Sequence, residues 1–580
     1  MSRVLNLNVG ILGHVDSGKT SVAKLLSTIA STSAFDKNPQ SKKRGITLDL
    51  GFSSFVVNGS LPHNENYDKI QFTLVDCPGH SSLIRTVLCG SQIIDVMLLV
   101  VDVTKGFQTQ TAECLVIGAI TCEQMVVVLN KCDLLPENTR EQQIEKMKRR
   151  VSKTLEATIF SGAPITAISA APGGIQMEFD QMNKQEASRS DIEALIQLLL
   201  NAVTDPTEKR KKVAGKNFLF AVDHCFSVTG QGTVMTGTVI AGTTRVGEMI
   251  ELPRQKIQKK IKSIQMFRQP VNSVGPGDRV GICVPQLDPN LLERGIVGAA
   301  NTGSLILCHA CILGEVKKIP YFKAAISSKA RFHVFVGQET ALATITFFVT
   351  CPSTDSGNSV PRGALDLEGR LSYQYLEELP GETDPAERQV WVLLEFERTL
   401  VCPEDGLVIG ARLDSTASNV CRLAFHGRIV LRMPEENYRL TTLPKILVFR
   451  PKRRQGQVER IQDPRTCIVR GLFKRETNWD IFVGLRAQLL IEPNYAATGD
   501  SGTGTRTYNG RIDSSFGQSG KCRLVLNDDL PEEVVQQFLR KGAKKTTEAI
   551  NVVLGQDRVK IDVVLEFKRH VFDVKRRILQ

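Results

Sequence analysis

Three short phrases in a fixed order constrain this chain more than any other feature: GHVDSGKT (Gly13–Thr20), DCPGH (Asp76–His80) and NKCD (Asn130–Asp133). Each alone is weak, because a phosphate-loop pattern recurs by chance in unrelated chains. In this order and spacing they answer three separate demands of one nucleotide. Together they describe a site for GTP and Mg2+.

The first phrase follows an apolar stretch, Val4–Leu12, that reads as a buried strand, and precedes a helical pattern, Ser21–Ser27. That strand–loop–helix context is what a phosphate loop requires. Gly13 and Gly18 permit backbone angles that turn the loop's N–H groups, through Asp16 and Ser17, onto phosphate oxygens. The N-terminal end of the helix adds partial positive charge. Lys19 is placed to reach the β- and γ-phosphates, and the Thr20 hydroxyl to bind Mg2+. The second phrase closes a strand, Phe72–Val75. Asp76 there is expected to hold Mg2+ through water, the Gly79 N–H to face the γ-phosphate, and His80 to orient the attacking water as the catalytic residue. Between these phrases lies RGITLD (Arg44–Asp49), where Thr47 is placed to sense the γ-phosphate through Mg2+.

The third phrase ends a strand, Met125–Leu129. Asp133 can accept two hydrogen bonds from guanine N1–H and the exocyclic amine, which adenine cannot supply. Asn130 is expected to contact the base edge and brace the loop, and the Lys131 stem to pack along the ring. Ser169-Ala170-Ala171 offers a backbone N–H to guanine O6. A site whose buried polar groups stay unpaired with the wrong base discriminates strongly.

A chain of 580 residues is long enough for three or four domains, and 42% hydrophobic with 23% charged residues is ordinary for globular ones. No apolar run reaches the ~18 residues that a membrane-spanning helix needs, so no membrane role is expected. The chain begins Met-Ser-Arg-Val and enters a strand at once, which leaves no room for a signal peptide. Its 14 cysteines are scattered and include a single C-x-x-C, Cys308 to Cys311, where a zinc ribbon needs two, which points to reduced thiols in the cytosol rather than structural zinc. Net charge is +12, and residues 438–580 carry nearly all of it: 27 Lys and Arg against 16 Asp and Glu there, 46 against 45 before. Such asymmetry points to a polyanion partner, with a merely soluble basic surface as the alternative.

Strands and helices alternate to about residue 203, the doubly wound α/β pattern, ending in an amphipathic helix, Asp191–Val203. Within residues 1–206, the stretches Asn58–Lys69 and Pro172–Ser190 read as loops. Residues 207–216 close TDPTEKRKKVAGK, a charged linker. From 217 to 303 short strands with glycine turns predict a small β-barrel. A second barrel spans 304–434, split at 351–388 by a polar, glycine-rich stretch read as a flexible insertion. Residues 438–580 read as a further, mostly β, basic domain with one helix, Pro531–Arg540. Its RNA-binding candidates are Lys452, Arg453, Arg454, Lys474, Arg475, Lys544 and Lys545, and the clusters could also serve nuclear import. Aromatics beside them suit RNA stacking and strand core equally.

GHVDSGKT, RGIT and DCPGH resemble the translational GTPases related to elongation factor Tu, and the G-domain–barrel–barrel order with Leu394–Asp414 extends that similarity over about 430 residues. Cys132 and Ala171 depart from the family's pattern without touching guanine binding. Within the family, AVDHCFS (Ala221–Ser227), GQGTVMTGT (Gly230–Thr238) and GDRVGIC (Gly277–Cys283), with LFKRETN, FVGLR, RIDSSFGQSGK and FKRHVFDVKRR, closely resemble the animal selenocysteine-specific elongation factors. That resemblance implies that Asp223, His224 and Arg279 form the pocket for the aminoacyl side chain. It also implies a monomeric cytoplasmic carrier that cycles between GTP and GDP. Its partners would be selenocysteinyl-tRNA, the ribosome, and selenocysteine insertion element RNA through its binding protein. The chemistry agrees: a selenol is an anion at neutral pH and serine is neutral, so a buried guanidinium favours one and is left unpaired by the other. An Asp–Arg staple between barrel strands is the plainer reading of the same residues. Two rivals are an initiation-factor-γ-like tRNA carrier, whose paired zinc cysteines are lacking here, and a regulatory GTPase that binds protein and RNA without cargo.

Overall fold

The computed structural model describes residues 3–27, 29–30, 51–62, 64, 66–77, 93–170, 186–266, 269–292, 294–351, 364–381, 388–413, 421–491, 506–517, 520–539, 561–573 and 577–580. They fall into two compact units: residues 1–347 with 377–436, and residues 348–376 with 437–580.

The first unit opens with a seven-stranded sheet. Its strands are β1 (Val4–Gly13), β2 (Ile29–Ala30), β3 (Gly51–Asn58), β4 (Lys69–Asp76), β5 (Val96–Asp102), β6 (Met125–Asn130) and β7 (Ile165–Ala167), in the order β2-β3-β4-β1-β5-β6-β7. From β4 to β7 the neighbours run parallel, and β2 and β3 are antiparallel additions. Near-continuous apolar runs such as VMLLVVD in β5, buried throughout, are what a sheet covered on both faces demands. Helix α1 (Lys19–Leu26) and the helices Thr109–Thr121, Arg140–Leu155 and Glu186–Ala202 accompany it. The carboxyl ends of β1, β4, β6 and β7 carry the phosphate loop, Asp76, NKCD and Ser169-Ala170, and that edge is where open α/β sheets bind ligands.

The charged stretch expected as a linker is instead helical over Thr207–Ala214. Its lysines face solvent, while Arg210 turns inward and donates to Asn6 O (2.7 Å) and Asp95 Oδ2 (2.7 Å). One half-buried anchor on a solvated helix is hard to tell from a charge run.

Next comes an eight-stranded sheet containing β8 (Leu219–Val228) and β9 (Gly232–Ala241), with Gly295–Ala299 beside β8 and Arg279–Val284 beside β9. Phe220, Val222, Met235, Val239, Ile250 and Ile282 fill its core. A third sheet runs Arg331–Val336, Leu407–Ala411, Leu423–Met433, Leu305–Lys318, Val390–Pro403 and Glu339–Thr350, whose last strand pairs back with the first. Closure into a six-stranded barrel removes its edges.

In the second unit six antiparallel strands also close on themselves: Leu447–Asp463, Thr466–Arg470, Lys521–Leu526, Arg506–Phe516, Arg486–Ile491 and Ile561–His570, the last pairing with the first. The helix expected at Pro531–Arg540 is present as Glu532–Leu539. Part of the expected insertion at 351–388 belongs to this unit. Ser372–Leu376 is a strand laid parallel to Leu447–Phe449, and Tyr373, fully buried, meets Phe348 edge-on with ring centroids 5.5 Å apart. The buried Asp366 carboxylate accepts the Glu368 and Leu371 N–H groups and fixes the turn before that strand. For residues 364–381 the expectation of a flexible insertion is therefore corrected. Residues 352–363 and 382–387 lie outside the described set.

Candidate functional site

β1 delivers its chain into a loop with left-handed geometry at Asp16 (φ 58°) and Gly18 (φ 89°). Gly18 is required twice over, because a Cβ there would also lie 2.1 Å from Asn130 Nδ2. At the loop's centre Lys19 is only 6% exposed and its Nζ donates to His14 O at 2.7 Å. Burial pushes its ammonium below the ordinary lysine value, with Asp76 opposing. A buried cation in that position gains from an anion set beside it. The Ser17 hydroxyl is buried with no hydrogen-bond partner among the described residues.

Thr20 Oγ1 donates to Asp76 Oδ2 at 2.7 Å, and Asp76 is buried. A hydroxyl and a carboxylate oxygen, brought together from two segments beside a phosphate loop, form the hard donor set that suits Mg2+ shared with substrate phosphates. Thr47, Gly79 and His80 lie outside the described residues.

The NKCD segment meets the phosphate loop and Ser169-Ala170 through one side chain. The Asn130 amide donates from Nδ2 to Ser17 O (3.0 Å) and accepts at Oδ1 from the Ala170 N–H (3.0 Å), which ties three loops together. The Ala170 N–H is therefore engaged by Asn130. Lys131, left-handed at φ 68°, pairs with Asp102 at 2.9 Å. Burial works against the Asp102 carboxylate, but bonds from Thr104 and Lys131 outweigh it and hold its pKa below the usual range. Asp133 sits half-buried in the short 3-10 turn Cys132–Leu134, and Ser169 is half-buried beside Ala170.

In the next sheet, register between β8 and β9 shifts between Val222 and His224, so Asp223 is the extra residue of a β-bulge. A bulge re-aims side chains, and here the Asp223 carboxylate accepts from Arg279 Nη1 at 2.5 Å in a pair that is almost fully buried. Burial raises the Asp223 carboxyl above its ordinary value, and the charges of Arg279 and His224 oppose that rise. Asp223 Oδ1 has no hydrogen-bond partner among the described residues. Phe52, on β3, lies over the guanidinium, its ring centroid 3.3 Å from Arg279 Cζ. Sequence reasoning missed Phe52. It follows RGITLD closely, but in the run GFSSFVV it cannot be told from core.

The basic residues of the second unit separate. Lys474 and Arg475 are exposed in a loop, and Arg453 is exposed with Glu566 3.6 Å away. Lys452 is half-buried. Arg454 turns to the opposite side of its strand. It lies over Phe473, Phe482 and Phe567 (5.2, 5.0 and 5.6 Å to the centroids) and donates to Leu472 O at 3.2 Å. Strand alternation therefore removes Arg454 from the expected surface cluster and makes it part of the barrel's packing. Lys544 and Lys545 lie outside the described residues.

Four family models match in chain order. They are the elongation factor Tu GTP binding domain (5–214), elongation factor Tu domain 2 (232–297), the third domain of eukaryotic selenocysteine-specific elongation factor (313–427) and the eEFSec C-terminal RIFT domain (444–576). The chain is 46% identical to the selenocysteine-specific elongation factor of Mus musculus, over all of this chain and 99% of that one. It is 36% identical to that of Methanocaldococcus jannaschii, over 59% of this chain and 66% of that one. The fold is similar to the crystal structure of translation elongation factor SelB from Methanococcus maripaludis with the GTP analogue GppNHp (TM-score 0.63, 22% identity, 98% of this chain and 100% of that one). A GTPase domain with a phosphate loop, two further β domains and a closed C-terminal barrel, matched end to end, places this chain in the family of selenocysteine-specific elongation factors, GTP-hydrolysing enzymes of protein synthesis.

Proposed function

We propose that the protein binds selenocysteinyl-tRNA in its GTP form, delivers it to the ribosome at recoded UGA codons with the insertion-element RNA and its binding protein, and releases it on hydrolysis. The observation that carries the cargo assignment is the buried Asp223–Arg279 pair with His224 beside it. One of the five guanidinium N–H groups is used by Asp223, and the others can meet a selenolate. Serine offers no charge there, so the N–H groups that Asp223 leaves over meet no second anion.

Thr20 and Asp76 would hold Mg2+, which when bound offsets the charge of the phosphate oxygens. The chain's own part is positional. The loop's N–H groups and Lys19 orient the β- and γ-phosphates, and Thr47 reads the γ-phosphate. Asp133 accepts from the guanine edge, Asn130 braces the loop through the Ala170 N–H, the Lys131 stem packs along the ring, and the Ser169-Ala170-Ala171 backbone faces guanine O6. His80 orients the attacking water. The cytoplasm is the place of work this role implies, and the exposed cations of residues 438–580 supply its RNA contacts.

The test is to titrate the GTP form with one tRNA body charged with selenocysteine or with serine. Selenocysteinyl-tRNA should bind on the order of 100-fold more tightly, the scale set by one charged hydrogen bond lost in a buried site. Equal affinities would refute the pocket.

A further inference from the structure

The residues that precede Arg279 are held by the GTPase domain. Asn6 and Asn8 alternate along β1 with Leu5, Leu7 and Val9, which are core. Both asparagines are buried, and both aim into the second domain. Asn6 Nδ2 donates to Asp278 Oδ1 at 2.6 Å, and Asn8 Nδ2 donates to Gly277 O at 3.0 Å. The Oδ1 atoms of Asn6 and Asn8 are buried with no hydrogen-bond partner among the described residues. An apolar side chain would avoid that cost, so two polar side chains here point to a demand beyond packing.

Arg210 completes the arrangement. Its guanidinium bonds the Asn6 carbonyl oxygen and Asp95, whose carboxylate also accepts the Asn8 N–H at 2.8 Å. The same guanidinium lies against Gly277, where φ is +88° and a Cβ would fall 2.2 Å from Arg210 Cζ. The turn is closed on its own side as well: the Asp278 carboxylate accepts the Gly275 N–H, and Gly277 and Asp278 bond Val239 of β9. The next residue is Arg279. Its backbone is therefore registered both to its own sheet and to β1, the strand that runs into the phosphate loop.

We propose that Asn6, Asn8 and Arg210 are positioning residues for cargo recognition: a polar latch from the GTPase domain to the turn Gly275–Asp278 that sets where the Arg279 guanidinium meets the aminoacyl group. The inference rests on the reading of Asp223, His224 and Arg279 as the selenocysteine pocket. A misplacement of about 1 Å in a charged contact is enough to cost on the order of 100-fold in a positioned interaction. The latch acts through Arg279 and touches neither nucleotide nor cargo.

The experiment uses the full chain and measures three quantities: GTP affinity, thermal unfolding, and the ratio of selenocysteinyl- to seryl-tRNA affinity. Asn6→Ala/Asn8→Ala should hold GTP within about threefold of the parent, because the β1 backbone is untouched, while the ratio falls about tenfold or more. Gly277→Ala, approached from the barrel side, should lower the ratio similarly, and it supplies the reading if the double variant does not fold. A latch that serves only stability would lower the unfolding temperature in both variants without moving the ratio, and that result overturns the proposal. Arg279→Ala separates the two layers of argument. If it keeps the ratio, the pocket reading has failed. If it loses the ratio while the latch variants keep it, the pocket stands and the latch is refuted.

Discussion

The Asn130 side chain uses both ends of its amide inside the protein, on Ser17 O and on the Ala170 N–H, so one residue fixes the distance between phosphate loop and base loop. Asn130→Ala leaves that carbonyl and that N–H buried and unpaired, at about 1–3 kcal/mol each. GTP affinity should fall on the order of 10- to 100-fold while preference for guanine survives, because Asp133 is untouched. Asp133→Asn should do the reverse, holding the phosphate loop in place while shifting preference from guanosine to xanthosine nucleotides. Titration of both variants with fluorescent GTP, XTP and ATP analogues checks the division; a base preference lost equally in both variants would merge the two roles. The NKCD spacing singles out both residues, since the chemistry proposed for them is tied to a local phrase. Phe52 was not legible, because what sets it apart is its contact with Arg279, a residue far along the chain.

Among the elements, the strands of the barrels were readable from alternation, but their irregularities were not. The bulge that turns Asp223 toward Arg279 comes from the pairing of two strands, and neither strand's sequence carries it alone. Likewise Ser372–Leu376 looked like loop because its partner, Leu447–Phe449, lies far along the chain. The strand Leu423–Met433 holds a consequence of its own. His426 pairs in register with Lys317, and burial first, then Lys317 and Arg428, lowers its pKa to about 4 from 6.5. Between those values the unfolded chain binds the proton that the folded barrel refuses, so stability is lost as pH falls through this window. A shift of that size corresponds to ~3–4 kcal/mol. His426→Gln should therefore lose less stability than the parent between pH 7 and pH 4, measured by urea unfolding at both. Parallel losses in the two proteins would mean that His426 does not carry the acid sensitivity.

For the molecule as a whole the charge is divided, with residues 438–580 holding 27 basic against 16 acidic side chains. Composition made that division visible, but not which cations meet solvent, since that depends on strand facing. Arg453 and Arg454 are neighbours in sequence and lie on opposite sides of one strand, the first exposed and the second over three aromatic rings. A polyanion partner should therefore respond to the two very differently. Reversing the exposed cations (Arg453→Glu, Lys474→Glu and Arg475→Glu) should weaken tRNA binding and flatten its dependence on salt. The logarithmic slope should drop by roughly 2–3, because each cation that meets a phosphate contributes about 0.7–0.9. Arg454→Met should leave the slope alone and instead lower the barrel's stability by ~1–2 kcal/mol, through the lost cation–π contacts. Filter binding across a NaCl series, with thermal unfolding of each variant, separates the outcomes. An unchanged slope in the triple variant would take these three cations out of the RNA surface, and a changed slope in Arg454→Met would return it to that surface despite its place over the rings.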